Sequence, residues 1–398
     1  MNMALTNLQK IQEAVERRPG EIDALKKNGQ KVLGWIGYTL PEEIIHAAGI
    51  IPVRLGRGGD DRLVEIGSRY ISTQNCVFIR ATAGLFAENS DPYVQKSDGV
   101  AFDTTCMQVY RLGEVTKYYF RKKTFFLGVP RCFQTPQARQ YFLMELEEFT
   151  LRLEEFSGKK IESHALAASI GLYNEIREAI KALYMHAAHD NPPVITWHEI
   201  YGVVHAGYYL DRQEYLALLK DLLHEIEELR DAGVVGKASK RVRILLSGSV
   251  IAPGDTKLID IITGLNGNII ADDLWSGLDP YIGIDIREPT LKGIADAYMD
   301  RLLPPAIPHL DQSTDNRLHN LKDAVKESSA DGVIYHSLRY CDSVTFKGLE
   351  MKEFLSHEKI PFLEIHTEYA KSDIEAIRTR SEAFIEMVKF RKQAGGRI

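Results

Sequence analysis

The sequence predicts an α/β protein: two Rossmann-like (flavodoxin-like) parallel-sheet domains with an additional helical segment. Three observations carry this expectation. Short apolar runs alternate with amphipathic stretches in both halves of the chain, the connections between them are short, and the middle of the chain has helical periodicity only. The length of 398 residues, at roughly 150 per domain, accommodates two such units and the segment between them. The expected organisation is an N-terminal helical segment over 1–30, a first α/β domain over 31–160, a helical segment over 161–235 and a second α/β domain over 236–398.

The elements follow in order. Residues 5–30 are rich in Lys and Glu and read as a helix ending at Gly29. Lys31 to Gly37 is a short apolar run with the character of a buried strand, and Pro41-Glu42-Glu43 opens a helix that Gly49 stops. Proline in the first turn and glycine past the last are the usual helix boundaries. Ile50 to Leu55 is the next strand, so strand, helix and strand form a βαβ unit and imply parallel pairing. Gly99–Phe102 and Thr124–Pro130 are further strands, with helices over 106–121 and 134–157. From 160 to 235 Leu, Ile and Tyr recur at three- and four-residue spacing, broken at Asn191-Pro192-Pro193. Strand–helix alternation resumes at Arg241–Ser249, Gly267–Ala271, Gly332–Tyr335 and Pro361–Ile365, and a helix covers 372–393. Asp98 to Cys106 resembles Asp331 to Cys341: each is a strand running into a polar loop that delivers a cysteine just before a helix.

Composition narrows the function. Hydrophobic residues at 44% and charged residues at 26% belong to an ordered globular chain. The net charge of −6 argues against a surface dominated by phosphate contacts, so nucleic acid is not an expected partner. No apolar run reaches the roughly 18–20 residues that span a bilayer, and the first ten residues lack the apolar region of a secretory signal. Four cysteines without a close pair do not make a disulfide scaffold, and a cytoplasmic protein is expected. There is no P-loop, Gly56-Arg57-Gly58-Gly59-Asp60-Asp61 lacks the third glycine of a dinucleotide fingerprint, His198-Glu199 has no second histidine at zincin spacing, and no Gly-x-Ser-x-Gly elbow occurs. Any demanding chemistry must come from a bound group.

The cysteines are the candidates for holding one. Cys76, Cys106 and Cys341 each stand between a loop and a helix, where first-turn amides favour the thiolate. Three thiolates suit a [4Fe–4S] cluster with one iron left open, or a structural zinc completed by a histidine. Packing as small hydrophobes is the plain alternative. Cys132, beside Phe133, is a candidate fourth ligand or a packing residue. Glu42 and Glu43 read either as acids at a helix N-terminus or, for Glu43 especially, as a catalytic carboxylate. His336 is a candidate proton donor or a loop histidine satisfied by backbone, and Asp272-Asp273 either joins the same sheet edge or caps a helix.

The stretch from Gly34 to Val53, with Pro41-Glu42-Glu43 and Ala47-Ala48-Gly49, resembles the N-terminal signature of the 2-hydroxyacyl-CoA dehydratase / benzoyl-CoA reductase family. The Cys76–Arg80 segment, the strand into Cys106, Ile269–Asp273 and Cys341-Asp342 extend the resemblance over residues 30–390. It implies a subunit holding one [4Fe–4S] cluster through Cys76, Cys106 and Cys341, partnered by a related second subunit in a heterodimer. It also implies an ATP-dependent iron–sulfur activator that feeds single electrons, an acyl-CoA substrate, and dehydration through a ketyl radical or, in the reductase branch, reduction of an aromatic ring. A non-catalytic electron-transfer paralogue is the remaining alternative. Trp275 and Leu278 stand where several members carry a cysteine and an arginine after the Asp-Asp pair, so a double cluster held by six cysteines is not expected with four. Tyr38 and Thr39 are the local candidates for the serine that some substrate-binding subunits place near the open iron.

Overall fold

The computed structural model describes residues 5–131, 133, 135–189, 193–234, 241–301 and 316–394. Helix α1 (Thr6–Lys27) leads into strand β1 (Val32–Ile36), α2 (Glu42–Ala47) and β2 (Ile51–Arg54). Then come α3 (Asp61–Gly67), α4 (Val77–Glu88), α5 (Pro92–Lys96), β3 (Gly99–Asp103), α6 (Met107–Tyr119), β4 (Thr124–Leu127) and α7 (Pro136–Ser157). The helical stretch comprises α8 (Ser163–His189), α9 (Trp197–Ala206) and α10 (Arg212–Asp231). The second half carries β5 (Val242–Gly248), α11 (Lys257–Gly264), β6 (Gly267–Asp272), α12 (Leu291–Asp300), α13 (Asn316–Glu327), β7 (Gly332–Leu338), α14 (Asp342–His357), β8 (Phe362–Thr367) and α15 (Ile374–Gln393).

The strands form two four-stranded sheets, ordered β2-β1-β3-β4 and β6-β5-β7-β8, with every pairing parallel. This is the two-sheet α/β class that the alternating pattern predicts. β1, β2 and β3 are buried along their whole length, which is why they read as continuous apolar runs and not as alternating ones. Each sheet turns back on itself: the first strand in the chain has neighbours on both sides, and the path crosses it to reach the far edge.

Helices cover the sheets with apolar stripes. α7 sets Phe142, Leu146, Phe149 and Leu153 against Phe125 and Leu127 of β4. α8 joins the two halves, placing Leu166 and Ile170 in the first core and Ile176, Ile180, Leu183 and Ala187 beside Ile244 and Leu246 of the second sheet. Residues 284–299, which chain order assigns to the second α/β domain, pack in the first core: Ile284, Ile286, Ile294 and Tyr298 sit with Phe142 and Ile45. Each large apolar side chain buried in this way contributes about 1.5–3 kcal/mol.

Two glycine sites show where backbone space is decisive. A Cβ at Gly67 would lie 1.8 Å from the Arg80 carbonyl oxygen, and one at Gly84 2.0 Å from that of Leu63, so α3 and α4 touch backbone to backbone. At the end of β1, Gly37 has φ +151°, and a Cβ there would lie 2.1 Å from Asp103 Oδ2. That space lets the Asp103 carboxylate accept the amides of Tyr38 and Thr39 at 2.5 and 2.6 Å and fix the loop after β1.

Gly84→Ala should lower the free energy of unfolding by about 1–3 kcal/mol through this overpacking. Gly171→Ala, on the exposed side of α8 with nothing within 4 Å of its Cβ, should raise it by about 0.5–1 kcal/mol. Urea unfolding of both variants checks the pair; equal shifts would contradict the packing described.

Candidate functional site

Three strand-end or loop segments converge at helix N-termini. Cys76 is the N-cap of α4, Cys106 follows β3 as the N-cap of α6, and Cys341 follows β7 as the N-cap of α14. Cys76 is buried and the other two are half-buried. All three pack in one cluster with Val77, Phe78, Leu338 and Tyr369. The Val77 amide donates to the Arg339 carbonyl at 3.2 Å and so ties the start of α4 to the end of β7.

The thiols affect one another. A hydrogen bond with Cys341 pushes the Cys76 thiol up, with burial adding to it, and the same bond draws Cys341 down, helped by the Ser249 hydroxyl and the Val344 amide. Burial and the nearby Cys341 raise Cys106, while the amides of Gln108 and Val109 act in the opposite direction. Cys341 is therefore the thiol most inclined to ionise, with a donor thiol at its side.

A single metal ion needs its donors within about 2.3 Å of one point. Among the described residues, no group of three or more His, Cys, Asp or Glu side chains has that spacing. A cluster takes each thiolate on a separate iron and tolerates a wider set. Three convergent thiols, first-turn amides and an apolar surround fit a three-cysteine cluster as a donor set. Cys132 lies outside the described residues.

A crevice runs among Gly37, Arg54, Phe78, Val250 and Trp275, and Phe78 and Trp275 also pack in the apolar cluster that holds the thiols. It shares Arg54 and Tyr208 with a larger cavity whose walls carry Glu42, Glu43, Arg177, Arg212 and Arg301. Glu42 accepts from Trp35 Nε1 at 2.6 Å, Tyr173 Oη at 2.9 Å and Arg212 Nη2 at 3.0 Å. Glu43, fully buried, is ion-paired with Arg177 and accepts from Tyr298 Oη at 3.1 Å. Arg54 donates to the carbonyls of Gly37 and Trp275 at 3.2 and 3.0 Å. Four arginines and two glutamates line the cavity, and this polar wall suits a polar or anionic ligand.

Sequence reasoning singled out neither the arginines nor most of the tyrosines. A signal existed for Arg177, which shares with Tyr173, Ile176 and Ile180 the buried stripe of α8, where a cation needs a partner. Tyr38 lines the cavity and donates to Asp279, while Thr39 is buried against Thr105 Oγ1 at 2.9 Å and Arg301 Nη2 at 2.8 Å.

His336 is placed differently from the expected cleft donor. β7 continues through it to Leu338, so it lies within a strand and not in a polar loop. It is 1% exposed, sits 2.6 Å from Thr367 Oγ1 through Nε2, lines neither space described above, and burial pushes its pKa down to about 3. A neutral, enclosed imidazole has no acidic proton to give at physiological pH. Asp272 organises a turn instead of capping a helix: it accepts Tyr184 Oη at 2.8 Å, Trp197 Nε1 at 2.6 Å and the amides of Leu274 and Leu278 at 3.0 Å.

Glu43→Ala should cost on the order of 3–5 kcal/mol in urea unfolding because it strands a buried guanidinium, whereas Glu43→Gln keeps an acceptor and should cost less. A second expectation concerns pH. Asp255 lies under the Gly58–Gly59 turn, and burial pushes its pKa up to about 7 against the pull of Lys257, with Asp373 adding to the rise. The folded protein holds the proton more tightly than the unfolded chain, so this contribution is complete at acid pH and is lost as pH rises through about 7. Asp255→Asn should therefore gain stability relative to the wild type between pH about 4 and about 7 and keep that gain above; parallel pH profiles would contradict it.

Comparison with known proteins adds relationship to this geometry. A family model described as 2-hydroxyglutaryl-CoA dehydratase, D-component, matches residues 38–388. A benzoyl-CoA reductase subunit of Thauera aromatica is 26% identical over 365 residues, covering 90% of this chain and 91% of the relative. The (R)-phenyllactyl-CoA dehydratase beta subunit of Clostridium sporogenes is 25% identical, covering 91% and 93%. The beta subunit of (R)-2-hydroxyglutaryl-CoA dehydratase from Acidaminococcus fermentans is 24% identical with the same coverage.

Proposed function

Because the chain belongs to the 2-hydroxyglutaryl-CoA dehydratase D-component family, we propose that it is the [4Fe–4S]-bearing subunit of a 2-hydroxyacyl-CoA dehydratase. In this reading the complex removes water from a 2-hydroxyacyl-CoA thioester by a ketyl radical route, after one-electron reduction by an ATP-dependent activator. The observation that carries it is the meeting of Cys76, Cys106 and Cys341, from segments far apart in the chain, at three helix N-termini. These three residues would hold the cluster. When bound, it supplies single low-potential electrons, which the difficult step requires: a hydroxyl whose β-hydrogen is not acidic leaves slowly under acid–base catalysis alone.

The chain's own groups act on the substrate side. The polar wall that includes Arg54, Arg177 and Arg212 orients the polar acyl end, while Glu42 and Glu43 hold Arg212 and Arg177 in place. The aromatic side chains of Trp35, Tyr173 and Tyr208 limit water in the same space. The relatives carry subunit names, which supports a related second subunit as partner. No helix among the described residues is long and apolar enough to cross a membrane.

The similarity to a benzoyl-CoA reductase subunit supports a second reading, in which the same electron enters an aromatic acyl-CoA. Turnover of aliphatic 2-hydroxyacyl-CoA and of aryl-CoA thioesters by the activated complex separates the two.

Anaerobically purified chain should contain about four irons with matching sulfide and give an EPR signal on reduction. Cys341→Ser should lose that iron and Cys132→Ser should keep it. Equal iron in the two variants would refute the ligand assignment.

A further inference from the structure

We propose that Gln108 is a positioning residue that clasps the three cysteine segments into one ligand set; the inference rests on the cluster reading above. Gln108 lies two residues after Cys106 in the first turn of α6 and is 6% exposed. Its Oε1 accepts the backbone N–H of Cys76 at 2.5 Å. Its Nε2 donates to the carbonyl of Tyr340, the residue before Cys341, at 2.9 Å, and to Asp342 Oδ2 at 3.3 Å. One side chain thus starts beside the second cysteine and bonds to the segments of the first and the third.

The chemistry of the amide suits this and no other side chain of that length does. Cys76 presents a donor and Tyr340 an acceptor, so the clasp needs one acceptor and one donor at the same tip. Glutamate supplies acceptors alone and leucine neither. Tyr340 also has φ +62°, a left-handed conformation unfavourable for a tyrosine, and the bond to its carbonyl helps hold the turn that presents Cys341. Without the clasp, Val77 N–H to Arg339 carbonyl remains as a backbone tie between the first and third segments, and the Cys106 segment loses its side-chain hold on both.

Three variants and two readouts test this. Gln108→Leu removes both contacts. Gln108→Glu keeps the acceptor for Cys76, loses the donor to Tyr340 and opposes a carboxylate to Asp342. Combining Gln108→Glu with Asp342→Asn gives the introduced carboxylate an amide donor and should restore a clasp between the second and third segments. The first readout is release of iron from reconstituted protein to a chelator, followed with the EPR line shape of the reduced sample. The second needs no iron: phenylarsine oxide condenses with two thiols, exchanging its As=O oxygen for two As–S bonds and releasing one water, and peptide mapping locates the bridged pair.

The wild type should form a bridge between Cys76 and Cys341. Gln108→Leu should release iron and lose the arsenical reaction rate by about tenfold each, Gln108→Glu should do the same or worse, and the double variant should recover much of both. A Gln108→Leu protein with wild-type circular dichroism, iron release and arsenical rate would overturn the proposal, as would a double variant no better than Gln108→Glu. A wild-type chain that binds the arsenical and no iron would defeat the cluster reading, and the arsenical rates would still decide the clasp.

Discussion

Parallel pairing is the constraint on which the site depends. Strands that run in one direction all present their carboxyl ends at one edge, so the loops that follow them leave on one side of the sheet. In both sheets the chain reverses direction across its first strand, which opens a gap between the loops after β1 and β3 and between those after β5 and β7. Cys106 and Cys341 occupy matching places, after β3 and after β7. The two edges face each other directly. Gly58 N–H bonds to the Pro253 carbonyl at 3.0 Å, Arg54 reaches the Trp275 carbonyl, and Val77 bonds to Arg339. A two-residue change in the length of β3 or β7 would carry a cysteine away from this edge.

The helical stretch supplies what two sheets alone lack. Glu42 and Glu43 open α2 under the favourable end of its dipole, but a six-residue helix offers too little to offset burial of two carboxylates. Arg177 from α8 and Arg212 from α10 provide the charges, and Tyr173 and Tyr298 take the remaining acceptor positions. Tyr298 reaches Glu43 because α12 returns to the first core, and residues 284–299 line the cavity beside α8, where Asn174 donates to the Ile286 carbonyl at 2.9 Å. Buried ion pairs of this kind add little net stability over apolar packing, while removing one member is costly.

Much of the framework was legible in the residues because local chemistry marks it. Pro41 and Gly49 bound α2, the polar loops before Cys106 and Cys341 precede helices, and β1 and β3 are apolar on both faces. What escaped depends on contacts between distant positions. Arg177 meets Glu43 across 134 residues and Gln108 meets Tyr340 across 232, and no local pattern announces either partner. His336 escaped for another reason. A polar residue near a strand end reads as loop, yet pairing with β8 carries β7 three residues past Tyr335 and encloses the imidazole against Thr367. The return of α12 to the first core was hidden because an amphipathic helix does not state which sheet it covers.

Electrostatics gives the thiol site its preference. α4, α6 and α14, of 12, 13 and 16 residues, begin at the three cysteines, where the amides of Phe78, Gln108, Val109 and Val344 turn to the thiols and each helix end carries about half a positive charge. Neutral thiols answer that field poorly, yet the hydrogen bond with Cys341 and burial push Cys76 up, and burial with the nearby Cys341 pushes Cys106 up. In the proposed reading, negative charge shared over several sulfur atoms would answer the three dipoles without confining a full charge to one buried atom. In that same reading, an iron–sulfur core held by the three cysteines would share that charge over several sulfur atoms, and hydrogen bonds from the first-turn amides would tune how readily it accepts an electron.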